Sequence, residues 1–158
     1  MRRPGDRLSP RGRAALLLKG KIMSENRVDR ETAEADFDRF AASARIRMDR
    51  ARNTNTRRDL EDDRQKFIEE VMDGRITVDE DGIVTVKTES EDIPDVKFPR
   101  RVSALAMAAA DKRKEGEDVG KMNAMIGAAT GIAPGRIAKL EAPDWFNVAL
   151  VFGLFLAN

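Results

Sequence analysis

Histidine and cysteine are both missing from this chain. Imidazole and thiolate go with them, and so do zinc fingers, cysteine nucleophiles and serine–histidine–aspartate relays. Carboxylates, lysines and hydroxyls are the only groups left for catalysis. Disulfide stapling is excluded, which fits a reducing compartment. Aromatic residues make up only 5% of the sequence, and none lies between Met1 and Ile22, so base stacking has no platform there. No Gly-rich loop follows a strand and no Gly-Lys-Ser or Gly-Lys-Thr tripeptide occurs, which speaks against nucleotide binding. Gly127, Gly131 and Gly135 are evenly spaced but fall within and after a helical pattern, where helix ends are the plainer explanation. Long apolar runs are lacking too. The run from Ala14 to Leu18 is shorter than the about 7–15 residues of a signal sequence core, and none reaches the about 20 of a membrane span.

What is present is charge, on 36% of 158 residues, a length that suits one domain or a small domain with tails. The chain has 29 bases and 28 acids; the segment from Met1 to Ile22 holds seven of the bases and one acid, so the rest of the chain carries 22 bases and 27 acids, a net of −5. The basic segment has three readings: an arm that contacts nucleic acid phosphates, a tail, or a translated leader, because Lys19-Gly20-Lys21 just before Met23 would be encoded by purine-rich codons like a ribosome-binding site. The acids do not assemble into an evident site. Glu61, Asp62 and Asp63, like Asp79 and Asp81, lie in strongly polar stretches that favour solvated surface over a tuned acid–base pair. A calcium loop at Asp79 to Gly82 would need ligands where Thr77 and Thr88 stand. No catalytic, cofactor-binding or metal-binding residue is assigned.

The expected fold class is α+β, predominantly α: a small helical domain with one β-hairpin. After the basic segment 1–29, residues 30–73 read as a helical hairpin. Ala33, Phe37, Phe40, Ala41, Ala44, Met48 and Ala51 form one helical stripe behind the N-cap Asp29. The cluster from Asn53 to Thr56 predicts a break, and a second helix over 57–73 carries Leu60, Phe67, Ile68, Val71 and Met72 to Gly74 at its C′ position. Residues 74–98 hold two β-branched runs around Asp79-Glu80-Asp81-Gly82, a hairpin signal, then an exposed acidic connector over 89–94 and a short apolar run at Val96-Lys97-Phe98. Residues 99–158 form the C-terminal helical part. Pro99 suits the first position of a helix to Lys114 with Val102, Leu105, Ala106 and Ala109 inward; a helix from about Asp118 to Thr130 turns Met122, Met125, Ile126 and Ala129 inward and stops at Gly131. A short turn at Pro134 carries Ile137 and Leu140. Pro143 opens the last helix, with Trp145, Val148, Ala149, Phe152, Phe155 and Leu156 on one face and Phe146, Leu150 and Leu154 opposite. A helix apolar nearly all round is either buried on several faces or meets a partner. Met107, Met122 and Met125 fit core filling or a soft groove for helical partners.

The order of features from Val96 to Ala157 is a short apolar strand, a Pro-led helix (Val96-Lys97-Phe98-Pro99), a helix ending in Ala128-Ala129-Thr130-Gly131-Ile132, a spaced Leu140, and an Asp-led helix from Asp144 closing on Phe155-Leu156. That order resembles the bacteriophage tail assembly chaperones. Upstream, the charged helix before Gly74 to Val84 is similar to small phage tail proteins. The likeness covers 30–157 loosely and 96–157 better, and departs at the entry tetrapeptide Lys97-Phe98-Pro99-Arg100.

The resemblance implies a non-enzymatic, non-virion viral assembly factor of the host cytoplasm. Such a factor coats the long helical tape measure protein and delivers it to the growing tail, with self-association and contact with the tail tube protein as further expectations. Its partner surface would use Met122, Met125, Trp145, Phe146, Leu150, Phe152, Leu154 and Phe155. No cofactor and no membrane is implied, and nucleic acid is not the expected partner. The alternative is a small nucleic-acid-binding regulatory protein using the basic arm, or a helical adaptor unrelated to phage; an enzyme is the third class. For the start, mass spectrometry of the naturally expressed protein decides: a mass near 17.6 kDa would exclude initiation at Met23.

Overall fold

A computed structural model describes residues 27–50, 54–112, 114 and 116–157. The basic segment before residue 27, the start at Met23 included, lies outside the described residues. The described chain is predominantly α, with helices α1 (Arg30–Ala44), α2 (Thr54–Met72), α3 (Ala104–Ala108), α4 (Asp118–Thr130), α5 (Pro134–Ile137) and α6 (Ala142–Leu156), and strands β1 (Ile76–Val78), β2 (Val84–Val86) and β3 (Val96–Lys97).

Helix α1 begins where the Asp29 carboxylate accepts the Thr32 N–H at 2.8 Å, a bond that also holds this carboxyl below its ordinary value of 3.8. The sequence pattern runs to Ala51, but the helix stops at Ala44. Arg45 takes the left-handed conformation (φ 60°, ψ 33°), and Ile46 donates its N–H back to the Ala41 carbonyl at 2.8 Å while burying its side chain, a Schellman-type end. Met48 begins a 3-10 turn (Met48–Arg50) instead of extending α1. The polar cluster at 53–56 acts as a start and not only as a break. Thr54 to Thr56 form the first turn of α2, because short polar side chains suit a helix N-terminus as well as they disfavour an interior.

α1 and α2 pack through Phe37, Phe40 and Phe67, with ring centroids 5.4 Å apart for Phe37–Phe67 and 5.2 Å for the stacked Phe40–Phe67 pair. Gly74, at φ 73°, ends α2 as its spacing predicts. β1 and β2 then pair antiparallel with Ile76 opposite Val86 and Val78 opposite Val84. In the turn between them the Asp79 carboxylate accepts the N–H groups of Asp81 and Ile83 at 3.0 and 2.9 Å. Its oxygen is occupied by turn chemistry. Val96–Lys97 adds a third strand beside β2, and the sheet order is β1-β2-β3. The acidic connector is exposed except at Ser90, which is half-buried, and Ile93, which is buried in the core.

The segment after β3 corrects the expectation of a helix starting at Pro99. Phe98 is buried and its N–H still bonds the Val84 carbonyl at 2.9 Å, so the chain remains extended into Pro99, which itself disfavours helical geometry in the residue before it. The helix starts five residues later, behind the N-cap Ser103, and gives way to a 3-10 turn at Ala109–Lys112. Only Ala106 of α3 is buried; Leu105, expected inward, is 83% exposed. Helix α4 ends at Gly131 (φ 76°) as expected. Gly127 has a packing role: a Cβ there would lie 2.6 Å from the Ile132 carbonyl oxygen, so its absence lets the entry to α5 close over α4.

One core serves the helical hairpin, the sheet and helices α4 to α6. It contains Phe37, Phe40, Leu60, Phe67 and Ile68 of the helical hairpin, Ile76, Val84, Val86 and Val96 of the sheet, and Ile126, Ile137, Val148, Val151 and Phe152 of the C-terminal helices. The β1–β2 turn is pressed against α1, where a Cβ on Gly82 (φ 76°) would lie 2.6 Å from Ser43 Cβ and 2.7 Å from the Arg39 carbonyl oxygen. Gly131 has the same φ but open space around it. Gly82→Ala is therefore expected to lose about 2–3 kcal/mol of stability and Gly131→Ala about 1 kcal/mol in urea unfolding. Equal losses would contradict the close turn–helix approach.

Candidate functional site

Helix α6 is anchored at its polar first turns to three separate parts of the fold. The Asp144 carboxylate accepts the Glu89 N–H at 2.8 Å. Asn147 donates through Nδ2 to Glu70 Oε2 at 2.8 Å, and the same carboxylate oxygen pairs with Arg75 Nε at 2.6 Å. Trp145 donates its indole N–H to Asn123 Oδ1 on α4 at 2.7 Å. Asp144, Asn147 and Asn123 are all buried, so each bond satisfies a group that would otherwise be costly to desolvate. Together they fix the rotation of α6 about its axis.

That rotation divides the eight residues expected to form a partner surface. Phe152 and Leu154 are fully buried and Phe155 is 8% exposed. These three belong to the core, Phe155 stacking edge-on to Phe40 at 5.3 Å and lying 5.9 Å from Phe98. As surface residues they are corrected. Their arc of the helix, with Val148 and Val151, is the one that seals the core. Met122, Met125, Trp145 and Leu150 are half-buried against the same core. Phe146 is 64% exposed, its ring T-shaped against Trp145 at 5.4 Å. Leu156, expected inward, is 37% exposed.

The outward arc of α6 thus runs through Ala142, Phe146, Leu150, Gly153 and Ala157, residues spaced by three or four and therefore stacked along one side. No ionisable side chain follows Asp144 on this helix. A Cβ at Gly153 would meet nothing within 4 Å, so this glycine has no packing reason among the described residues. Leu105, expected inward, Met107, expected to fill the core or a groove, and Val119, which the periodicity of the sequence does not single out, are further exposed apolar side chains on α3 and α4.

The titratable groups do not add a second site. Burial raises the Asp63 carboxyl, with the Lys66 ammonium 3.8 Å away pulling the other way, and Asp29 is the N-cap already described. Among the described residues no group of three or more carboxylates could hold a metal ion, and no helix is long and apolar enough to cross a membrane. Comparison with protein-family models, characterised proteins and solved structures finds no match.

The division of α6 is testable by stability alone. Leu154→Ala should cost about 2–5 kcal/mol, the range for a filled core position. Phe146→Ala should cost less than about 1 kcal/mol, as at an exposed one. Similar costs at both positions, read from urea midpoints, would mean that α6 is rotated differently.

Proposed function

We propose that this chain is a non-enzymatic assembly factor of the phage tail chaperone type, which covers an apolar helical segment of the tape measure protein in the host cytoplasm until the tail tube closes around it. The observation that carries this reading is the outward arc of α6, where Phe146 stands exposed on a helix face with no charge from Trp145 to Ala157. An aromatic anchor on an open apolar face is what helix-in-groove recognition uses. Gly153 supports the same reading. A glycine inside a helix costs up to about 1 kcal/mol relative to alanine, and here no internal contact offsets it; a partner helix approaching closely would. Met122 and Met125 lie on α4, to which Trp145 is bonded through Asn123, and supply adaptable thioether surface. The acidic body, net −5 once the segment from Met1 to Ile22 is set aside, keeps a complex with a long apolar partner in solution.

The test is co-expression with the tape measure protein, the very long helical protein that this reading expects to be encoded beside this chain. Wild type should hold that protein in the soluble fraction as a co-purifying complex. Phe146→Glu should reduce recovery at least tenfold with unchanged far-UV circular dichroism. Gly153→Ala should raise the unfolding midpoint of the free protein while weakening the complex. Recovery that is unchanged in both variants would overturn the reading.

A further inference from the structure

A second recognition feature lies at the other end of α6, about 13 Å along the helix from Phe146 at 1.5 Å per residue. Here a cleft of about 810 Å³ opens between the end of α1 and the segment before α3. Arg45, Arg47 and Arg101 line it, all exposed, over a floor that includes Ile46, Val102 and the edge of Phe155. None of the three arginines forms an ion pair with a described carboxylate, although the body of the chain has more acids than bases. Three like charges round one opening repel each other, and walls of low dielectric concentrate their field. Arg45 adds an independent sign. It is the only non-glycine with positive φ among the described residues, at a helix end where glycine would be free of strain. The fold thus bears a local cost at a position where it places a guanidinium on the cleft.

We infer that this cleft binds an acidic amphipathic segment of a partner protein, with an apolar side chain seated on the Ile46–Val102–Phe155 floor and flanking carboxylates paired to Arg45, Arg47 and Arg101. Guanidinium forks match carboxylates in two-bond geometry, and the apolar floor gives a bare anion nothing to bury. Charge excludes the chain's own segment from Met1 to Ile22, which holds seven bases and one acid. Nucleic acid is disfavoured by the floor, because Phe155, its one aromatic, is only 8% exposed and offers no face for a base. The inference stands independently of the Phe146 face.

Fluorescence anisotropy tests it with a fluorescein-labelled helical peptide of roughly 15 residues, bearing leucines on one face and glutamates beside them, and with its lysine counterpart. The full chain should bind the glutamate peptide, more weakly as salt rises, and should not bind the lysine peptide. The combined variant Arg45→Gly, Arg47→Gln and Arg101→Gln should bind at least tenfold more weakly; glycine at 45 relieves the backbone, so its circular dichroism should match wild type. Phe146→Glu should bind like wild type, which separates this site from the α6 face. Equal binding of both peptides, or undiminished binding by the triple variant, would overturn the inference. So would a labelled oligothymidylate binding in place of the peptide with the same arginine dependence, or a dimer in sedimentation that the triple variant abolishes, since these assign the cleft to nucleic acid or to a second copy.

Discussion

Phe40 is the side chain on which the packing converges. It stacks on Phe67 of α2, meets Phe37 of its own helix edge-on, and meets Phe155 of α6, which in turn lies against Phe98 at the exit of the sheet. Each such contact is worth about 0.5–1.5 kcal/mol beyond the area it buries. Their larger importance is topological. A helical hairpin, a three-stranded sheet and a C-terminal helix separated by long stretches of chain become one core through this cluster.

With Phe155 held in that cluster, α6 has little freedom left, and the polar bonds of Asp144, Trp145 and Asn147 remove the rest. Buried polar groups specify orientation more sharply than apolar packing, because a rotated helix would leave them unpaired in a low dielectric. The exposed arc of α6 is therefore a consequence of how the buried arc is pinned. Phe146 points outward because Phe152, Leu154 and Phe155 point inward.

Much of this is legible in the amino-acid pattern. The hairpin around Asp79 to Gly82, the Asp29 cap, and the glycine stops at 74 and 131 are local features whose chemistry is written within a few residues. What the pattern does not carry is non-local. α6 is apolar on every side, so periodicity cannot tell which arc meets the core, and it puts Leu154 and Leu156 on the wrong sides. Pro99 looks like a helix start because nothing near it in sequence announces that Phe98 is tied to Val84. The early end of α1 at Arg45 has no glycine to signal it. The arginine cleft is invisible for the same reason: its members, near residues 45, 101 and 155, are neighbours only in the folded chain.

In the proposed assembly role, α6 presents one arc to a partner while its other arc holds the core. Hydroxyl-radical footprinting of the free chain and of its mixture with the proposed long helical partner reads both arcs at once. Phe146 and Leu150 should be oxidised in the free protein and protected in the complex, with Phe152 and Leu154 protected in both. Oxidation of Phe152 and Leu154 in the free protein, or a Phe146 equally reactive with and without partner, would contradict it.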